Sequence, residues 1–148
     1  MTELNRRTFE ELPTKMQEKI FDTAIRSFVI KKESNDDIKF EIFERLNTGS
    51  TPLNEDEIRN TIYRGKYMNL LKELEENELF DKIVNKPNFK NRMLYRGMIL
   101  RFFAFYENTY IKYKPSMKQF CNKHLKRFIN MDDDQIEEYR TVFKDTIA

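Results

Sequence analysis

Asn47, Thr48 and Ser50 fall in one short polar loop, with Arg45 just before it and Arg59 and Asn60 a little after it. Short hydroxyls, a side-chain amide and backbone N–H groups in such a loop can cradle a phosphate, and the two guanidiniums add positive charge. The same residues have a plainer reading, in which Asn47 caps the end of a helix and Arg59 is a surface ion-pair partner. A second constellation lies further along the chain. Lys112, Lys114, Lys118, Lys123, Lys126 and Arg127 lie near Tyr106, Tyr110 and Tyr113. Cations beside aromatic rings suit contacts to a nucleic-acid backbone with some base stacking. Here the plainer reading is a solvated surface whose charges face acids of the same fold.

The remaining reactive side chains build nothing convergent. His124 is the only histidine, and no nucleophile or acid stands beside it at a spacing that general acid–base catalysis would recognise. Four residues after Phe120 and four before Phe128, it belongs at the edge of a core-facing stripe. Asp132, Asp133 and Asp134 diverge around a helix start, where they complement the helix dipole rather than converge on a metal. Cys121 is the sole cysteine, which rules out an intramolecular disulfide or a cysteine-based metal site and suits a reducing, cytoplasmic setting. No catalytic residue, metal or cofactor is expected in this chain.

The elements that must position these residues are helices. Ile38, Ile42, Phe43 and Leu46 put one apolar face on a helix that Ser34 and Asn35 can cap and that ends near Asn47. Gly49 and Pro52 suit its termination. Asn54-x-x-Glu57 is a capping box for the next helix, which buries Ile58 and Ile62, with Leu53 as a staple. Earlier, Thr8-x-x-Glu11 is a second capping box, and Pro13 can start a helix with Met16, Ile20 and Phe21 on one face. Helices are further predicted over about 66–76, 77–84, 91–108, 116–129 and from 132 onward. The 91–108 helix is apolar on most sides through Met93, Met98, Ile99, Phe102, Phe103 and Phe105, so it should be central. Ala24–Ile30 is the best strand candidate. A lone strand needs a partner, which Tyr110–Lys114, another chain or a missing part of this one would supply.

Composition agrees with a mostly α, compact multi-helix domain carrying one or two short β-strands. The chain has 148 residues, room for one domain, and its core must depend on Phe, Leu and Ile because 13 Phe and no Trp are present. Only 3 Gly and 4 Pro argue against a turn-rich barrel or sandwich. Asn85-Lys-Pro-Asn88 is the clearest break, dividing a helix-loop-helix portion, 1–84, from a helical portion, 85–148. No apolar run approaches a signal peptide or a membrane span. The net charge of +2 conceals segregation: residues 82–127 hold twelve Lys or Arg against one acid, Glu107.

Phe43-Glu-Arg-Leu-Asn47-Thr-Gly49, Thr51-Pro-Leu-Asn54 and Glu57-Ile-Arg59-Asn60 together resemble family 262 of the domains of unknown function, the ParB-like domain of GmrSD-type, modification-dependent restriction systems. Thr8-Phe-Glu-Glu-Leu-Pro13, Arg92-Met93 and Leu100-Arg101-Phe102 agree with it, so the resemblance spans most of the chain but only the later part of the family domain. The family's Asp-Gly-Gln-Gln-Arg motif, linked to nucleotide hydrolysis and to sensing modified DNA, is absent. Ser50 replaces the usual second glycine of the loop, and Tyr95 and Gly97 stand where the family tends to carry acids. The chain then corresponds either to a piece of a larger protein or to a short relative without the catalytic half.

The resemblance implies a non-catalytic helical part of a DNA-directed defence or restriction protein, supporting nucleotide or DNA recognition together with an absent N-terminal half or partner chain. It also brings Arg45, Asn47, Thr48, Ser50, Arg59 and Asn60 near the complete protein's nucleotide site. The competing expectation is an interaction or homo-oligomerisation module that pairs through the 24–30 strand.

Overall fold

The computed structural model describes residues 7–25, 27, 29, 31, 35–47, 51–108, 111 and 113–148. Among them the chain is mostly α-helical: α1 (Thr14–Phe21), α2 (Asp36–Leu46), α3 (Glu55–Ile62), α4 (Lys66–Leu74), α5 (Glu78–Val84), α6 (Pro87–Asn91), α7 (Leu94–Asn108), α8 (Met117–Phe128) and α9 (Asp133–Ile147). Packing divides the chain into two units, 1–32 and 33–148.

In the first unit a single 3-10 turn, Phe9–Glu11, precedes α1. Glu11 Oε2 accepts from the Thr8 amide at 2.9 Å, the bond its capping box requires. Gln17 folds back from α1 to donate to the carbonyls of Phe9 and Leu12, each at 3.0 Å. Phe9 and Phe21 meet edge to face, ring centroids 5.3 Å apart. The strand expected over 24–30 is absent among the described residues: 24, 25, 27 and 29 form no ladder, and 26, 28 and 30 lie outside the described residues. Ile111, Tyr113 and Lys114 pair with no strand either, while Tyr110 and Lys112 lie outside the described residues. With no second strand among the described residues to share its hydrogen bonds, a lone β-favouring run gains nothing from a ladder.

The second unit is built around α7, which packs against α3, α4, α6 and α8. Its buried side chains, Tyr95, Ile99, Leu100, Phe103 and Ala104, are all 2% exposed or less. Tyr67, Leu71, Leu125, Tyr139 and Phe143 close the core from α4, α8 and α9. Phe103 and Tyr139 stack with centroids 4.4 Å apart, and Tyr67 meets Phe103, Phe128 and Tyr139 edge to face. Rings in these geometries add attraction beyond the area they bury. The helix expected over 91–108 is present as α7 but begins three residues later, and a separate short helix, α6, precedes it. α6 stops at Asn91, Met93 takes a left-handed φ of 57°, and α7 begins at Leu94. The helices on both sides of the 85–88 break pack on each other within this unit, as α3 and α4 do on α7.

Local chemistry explains the helix starts. Asn54 Oδ1 accepts from the amides of Asp56 and Glu57, and Glu57 Oε2 accepts from the Asn54 amide at 2.7 Å. Asn35, Asn77, Ser116 and Asp132 cap α2, α5, α8 and α9 in the same way. α4 instead starts at Gly65, where a β-carbon would run into the carbonyl oxygen of Ile129. Glycine is required there by the close approach of two backbones.

Candidate functional site

The two constellations of the sequence meet different fates. In the loop between α2 and α3, the Asn47 side chain donates to the Leu53 carbonyl at 2.8 Å and accepts from the Leu53 amide at 2.9 Å. Asn47 thereby closes the loop across its neck, while its backbone amide caps α2 on the Glu44 carbonyl. Thr48 and Ser50 lie outside the described residues. Arg45 is exposed and pairs with Glu41 at 2.6 Å, one turn back on α2.

Arg59 is not the surface residue the sequence suggested: its side chain is 3% exposed. Its guanidinium donates to Asn122 Oδ1 at 2.7 Å, to Asp56 Oδ1 at 2.6 Å and to Glu55 Oε2 at 2.9 Å. Burial raises the Asp56 carboxyl above the ordinary range despite Arg59 beside it. Asn60 accepts from Arg96, whose guanidinium also holds the buried Glu75. Glu57 takes a two-pronged contact from Arg92, which donates at 2.8 and 3.0 Å, while Asn54 Nδ2 donates to the Arg92 carbonyl. Residues 54–60 therefore act as pins between α3 and the α6–α7–α8 layer. Charged hydrogen bonds of this kind are the strong ones, and each member would be expensive to leave alone.

The basic constellation gathers on α8 and the segment before it. Lys118 Nζ contacts both carboxylate oxygens of Glu44, at 3.0 and 2.9 Å, and lies 5.4 Å from the Phe40 ring centroid. Lys126 pairs with Asp37 at 2.6 Å. These bridges tie α8 to α2 across a groove of about 640 Å3, with Asp37, Glu41 and Glu44 from α2 facing Lys118, Lys123 and Lys126 from α8. Lys112 lies outside the described residues. Lys114, Lys123 and Arg127 have no acidic partner among the described residues, and all three line a second cavity of about 350 Å3 together with Phe120 and His124. The expected charge-balanced surface thus holds for Lys118 and Lys126, leaves Lys123 facing the acids of α2 without an ion pair, and fails at Lys114 and Arg127 among the described residues.

His124 sits deeper than the core edge expected for it, 3% exposed. Its Nε2 is 2.9 Å from the Tyr67 hydroxyl, and its ring packs 4.7 Å from Phe128. Burial first, and then the charge of Arg127, push the imidazole down to about 4, so it is neutral at pH 7. Burial likewise pushes the neighbouring Cys121 thiol up to about 11, which leaves it no thiolate character at that pH. The sequence carries no local signal for the Tyr67–His124 bond, because its members are 57 residues apart. The acids of α2 that face α8, Asp37 and Glu44, were equally unmarked.

Among the described residues no group of His, Cys, Asp and Glu is placed to hold a metal ion, and no helix is long and apolar enough to cross a membrane. Comparison of the chain with family models, with curated proteins and with solved structures returns no match.

Proposed function

We propose that this chain is a non-catalytic, nucleic-acid-contacting helical part of a DNA-directed defence or restriction protein of the family-262 kind, working with a ParB-like half or partner that it does not itself contain. The observation that carries the DNA contact is the cluster of Lys114, Lys123 and Arg127, three cations on one cavity without acidic partners among the described residues. Phe120 in the same cavity offers a ring for a base or sugar. The nucleotide part of the reading, which the resemblance places on Arg45, Asn47, Thr48, Ser50, Arg59 and Asn60, rests on the motif alone, and Arg59 and Asn60 serve it only by holding α3 beneath the loop, because their polar groups are taken by Asp56, Glu55, Asn122 and Arg96.

The test is DNA binding measured across salt. Three phosphate contacts predict a slope of about −2.7 in log K against log salt for duplex DNA. Lys123→Glu with Arg127→Glu should abolish binding without loss of helical signal. A flat salt response, or unchanged affinity in the double variant, overturns the proposal.

A second reading, an interaction module engaging a partner or a second copy through 24–30, is favoured by Ile25 and Val29, 90% and 88% exposed. Exposed apolar side chains mark an interaction surface where they form one contiguous patch. A sedimentation profile that stays monomeric at all concentrations removes the self-association form of this reading; a dimer dispersed by Ile25→Lys with Val29→Lys supports it.

A further inference from the structure

Helix α2 has two apolar faces, and the fold uses one. The single face expected from Ile38, Ile42, Phe43 and Leu46 is split: Phe43 turns to the core beside the buried Phe40, whereas Ile38, Ile42 and Leu46 take no part in that core. Ile38 is 52% exposed and Leu46 49%, and Ile42 between them is half-buried. Lone apolar residues on a surface are ordinary. Three of them at every fourth position make a continuous row along one side of a helix, and a contiguous row marks an interaction surface.

The charges beside the row indicate what it would meet. Glu41 and Arg45, both exposed, flank it and pair with each other at 2.6 Å. One acid and one base leave this face without net charge, so it offers a nucleic acid nothing to neutralise. The lysines of α8 reach α2 elsewhere, through Asp37 and Glu44. At 3.6 residues per turn those two acids lie about 150° around the helix from the centre of the row. The row is therefore clear of the α2–α8 groove.

Helix geometry makes this face complementary to itself. The apolar row repeats about every 6 Å along the axis, and it is centred on Ile42. The Glu41–Arg45 pair is centred one residue later, at the level of Phe43. A second copy of α2, turned about a two-fold axis at that level, sets each Glu41 opposite the partner's Arg45. The same turn shifts the partner's row by about 3 Å, half its repeat, so the side chains of each copy drop between those of the other. A two-fold contact requires this kind of self-matching patch.

We propose that α2 is a self-association surface at which two copies of this chain pair antiparallel, with Ile38, Ile42 and Leu46 interleaved and Glu41 of each copy against Arg45 of the other. Three apolar residues and one charged pair a side make a small face, which fits a weak, reversible dimer rather than a permanent one. The contact uses neither the cations of α8 nor residues 24–30, so it stands or falls apart from both readings above.

Sedimentation equilibrium of the full chain over a concentration series reads the pairing. The native chain should show a reversible monomer–dimer equilibrium, and Ile42→Glu should remain monomeric with unchanged helical signal. Glu41→Arg and Arg45→Glu each place two like-charge contacts in the dimer and should each weaken association about tenfold or more. An equimolar mixture of those two variants restores opposite charges at both contacts and should dimerise about as well as the native chain. A native chain that stays monomeric at every concentration overturns the proposal. So does a dimer that Ile42→Glu leaves intact; if Ile25→Lys with Val29→Lys disperses that dimer, the contact belongs to 24–30. A mixture no tighter than either variant alone overturns the antiparallel pairing. A thermal midpoint lowered by Ile42→Glu, at concentrations where the native chain is monomeric, means that the chain covers the row itself and overturns the proposal as well.

Discussion

The carboxylate of Asp56 occupies the space that a side chain on Gly97 would need: a β-carbon there would overlap both carboxylate oxygens and the carbon that bears them. Gly97 lies inside α7 and Asp56 in the first turn of α3, so the missing side chain on one helix makes room for an ionised group on the other. Arg59 holds the same carboxylate from its own helix, and Arg101 approaches it at 3.8 Å.

Gly97→Ala should therefore destabilise the protein. In an exposed helix interior that change would stabilise by about 1 kcal/mol. Here overpacking of about 1–3 kcal/mol opposes the gain, so the net sign reverses. Urea denaturation gives the difference, and the loss should shrink in an Asp56→Ala background, since the two positions share one space.

Arg59→Ala leaves Asp56 buried without its main counter-charge. The expected loss is about 3–5 kcal/mol, against at most about 1 kcal/mol for an exposed pair. A loss below 1 kcal/mol in denaturant would return Arg59 to the surface role that its sequence position suggests.

The imidazole of His124 predicts a pH dependence. Its folded-state value, about 4, lies below the ordinary 6.5, so the unfolded chain binds more protons in between. The stabilisation is complete above pH 6.5 and is lost as the pH falls toward 4, by about 3 kcal/mol in all. Asp56 works in the opposite direction, because its raised carboxyl favours the folded state at acid pH and loses that advantage as the pH rises from 3.8. Comparison of denaturation midpoints at pH 7 and pH 4.5 in the native chain and in His124→Gln isolates the histidine. The pH 4.5 deficit should narrow in the variant.

Asp37 and Glu44 hold Lys126 and Lys118 away from any external anion. Asp37→Asn with Glu44→Gln should free both cations, raise DNA affinity several-fold at low salt and steepen the salt slope by about 1.8. Fluorescence anisotropy over a salt series measures both. An unchanged slope would mean that these acids do not mask α8.

Asn47→Ala removes both side-chain bonds to Leu53 and should lower stability by about 1–2 kcal/mol. A variant that loses nucleotide binding at unchanged thermal midpoint would instead mark Asn47 as a ligand contact.

Helix identity and most caps were legible because cap and partner lie within three residues, as at Asn54–Glu57, Asn77–Phe80 and Asp132–Gln135. The central place of α7 followed from its apolar girth. What stayed hidden depends on distant partners. Arg59 looks like a surface arginine until Asn122, 63 residues away, is seen to receive it. Gly97 looks like a weak point in a helix until Asp56 is placed on it. The α6–α7 break at Met93 has no glycine or proline to announce it. It is fixed by the hold of Asn54 and Glu57 on Arg92, which no local pattern contains. Lys114, Lys123 and Arg127 carry the same charge as Lys118 and Lys126, and only the position of α2 separates the paired from the unpaired.

The pins of residues 54–60 also set an order of events during synthesis. Glu57 awaits Arg92, Asn60 awaits Arg96, and Arg59 awaits Asn122. A nascent chain ending at 84 has Arg59 paired with Asp56 and Glu55 inside α3 but lacks every partner of α3 from α6, α7 and α8, so that face of the helix stays in water until α8 has left the ribosome. The stretch that looks most complete in the sequence is therefore among the last to settle.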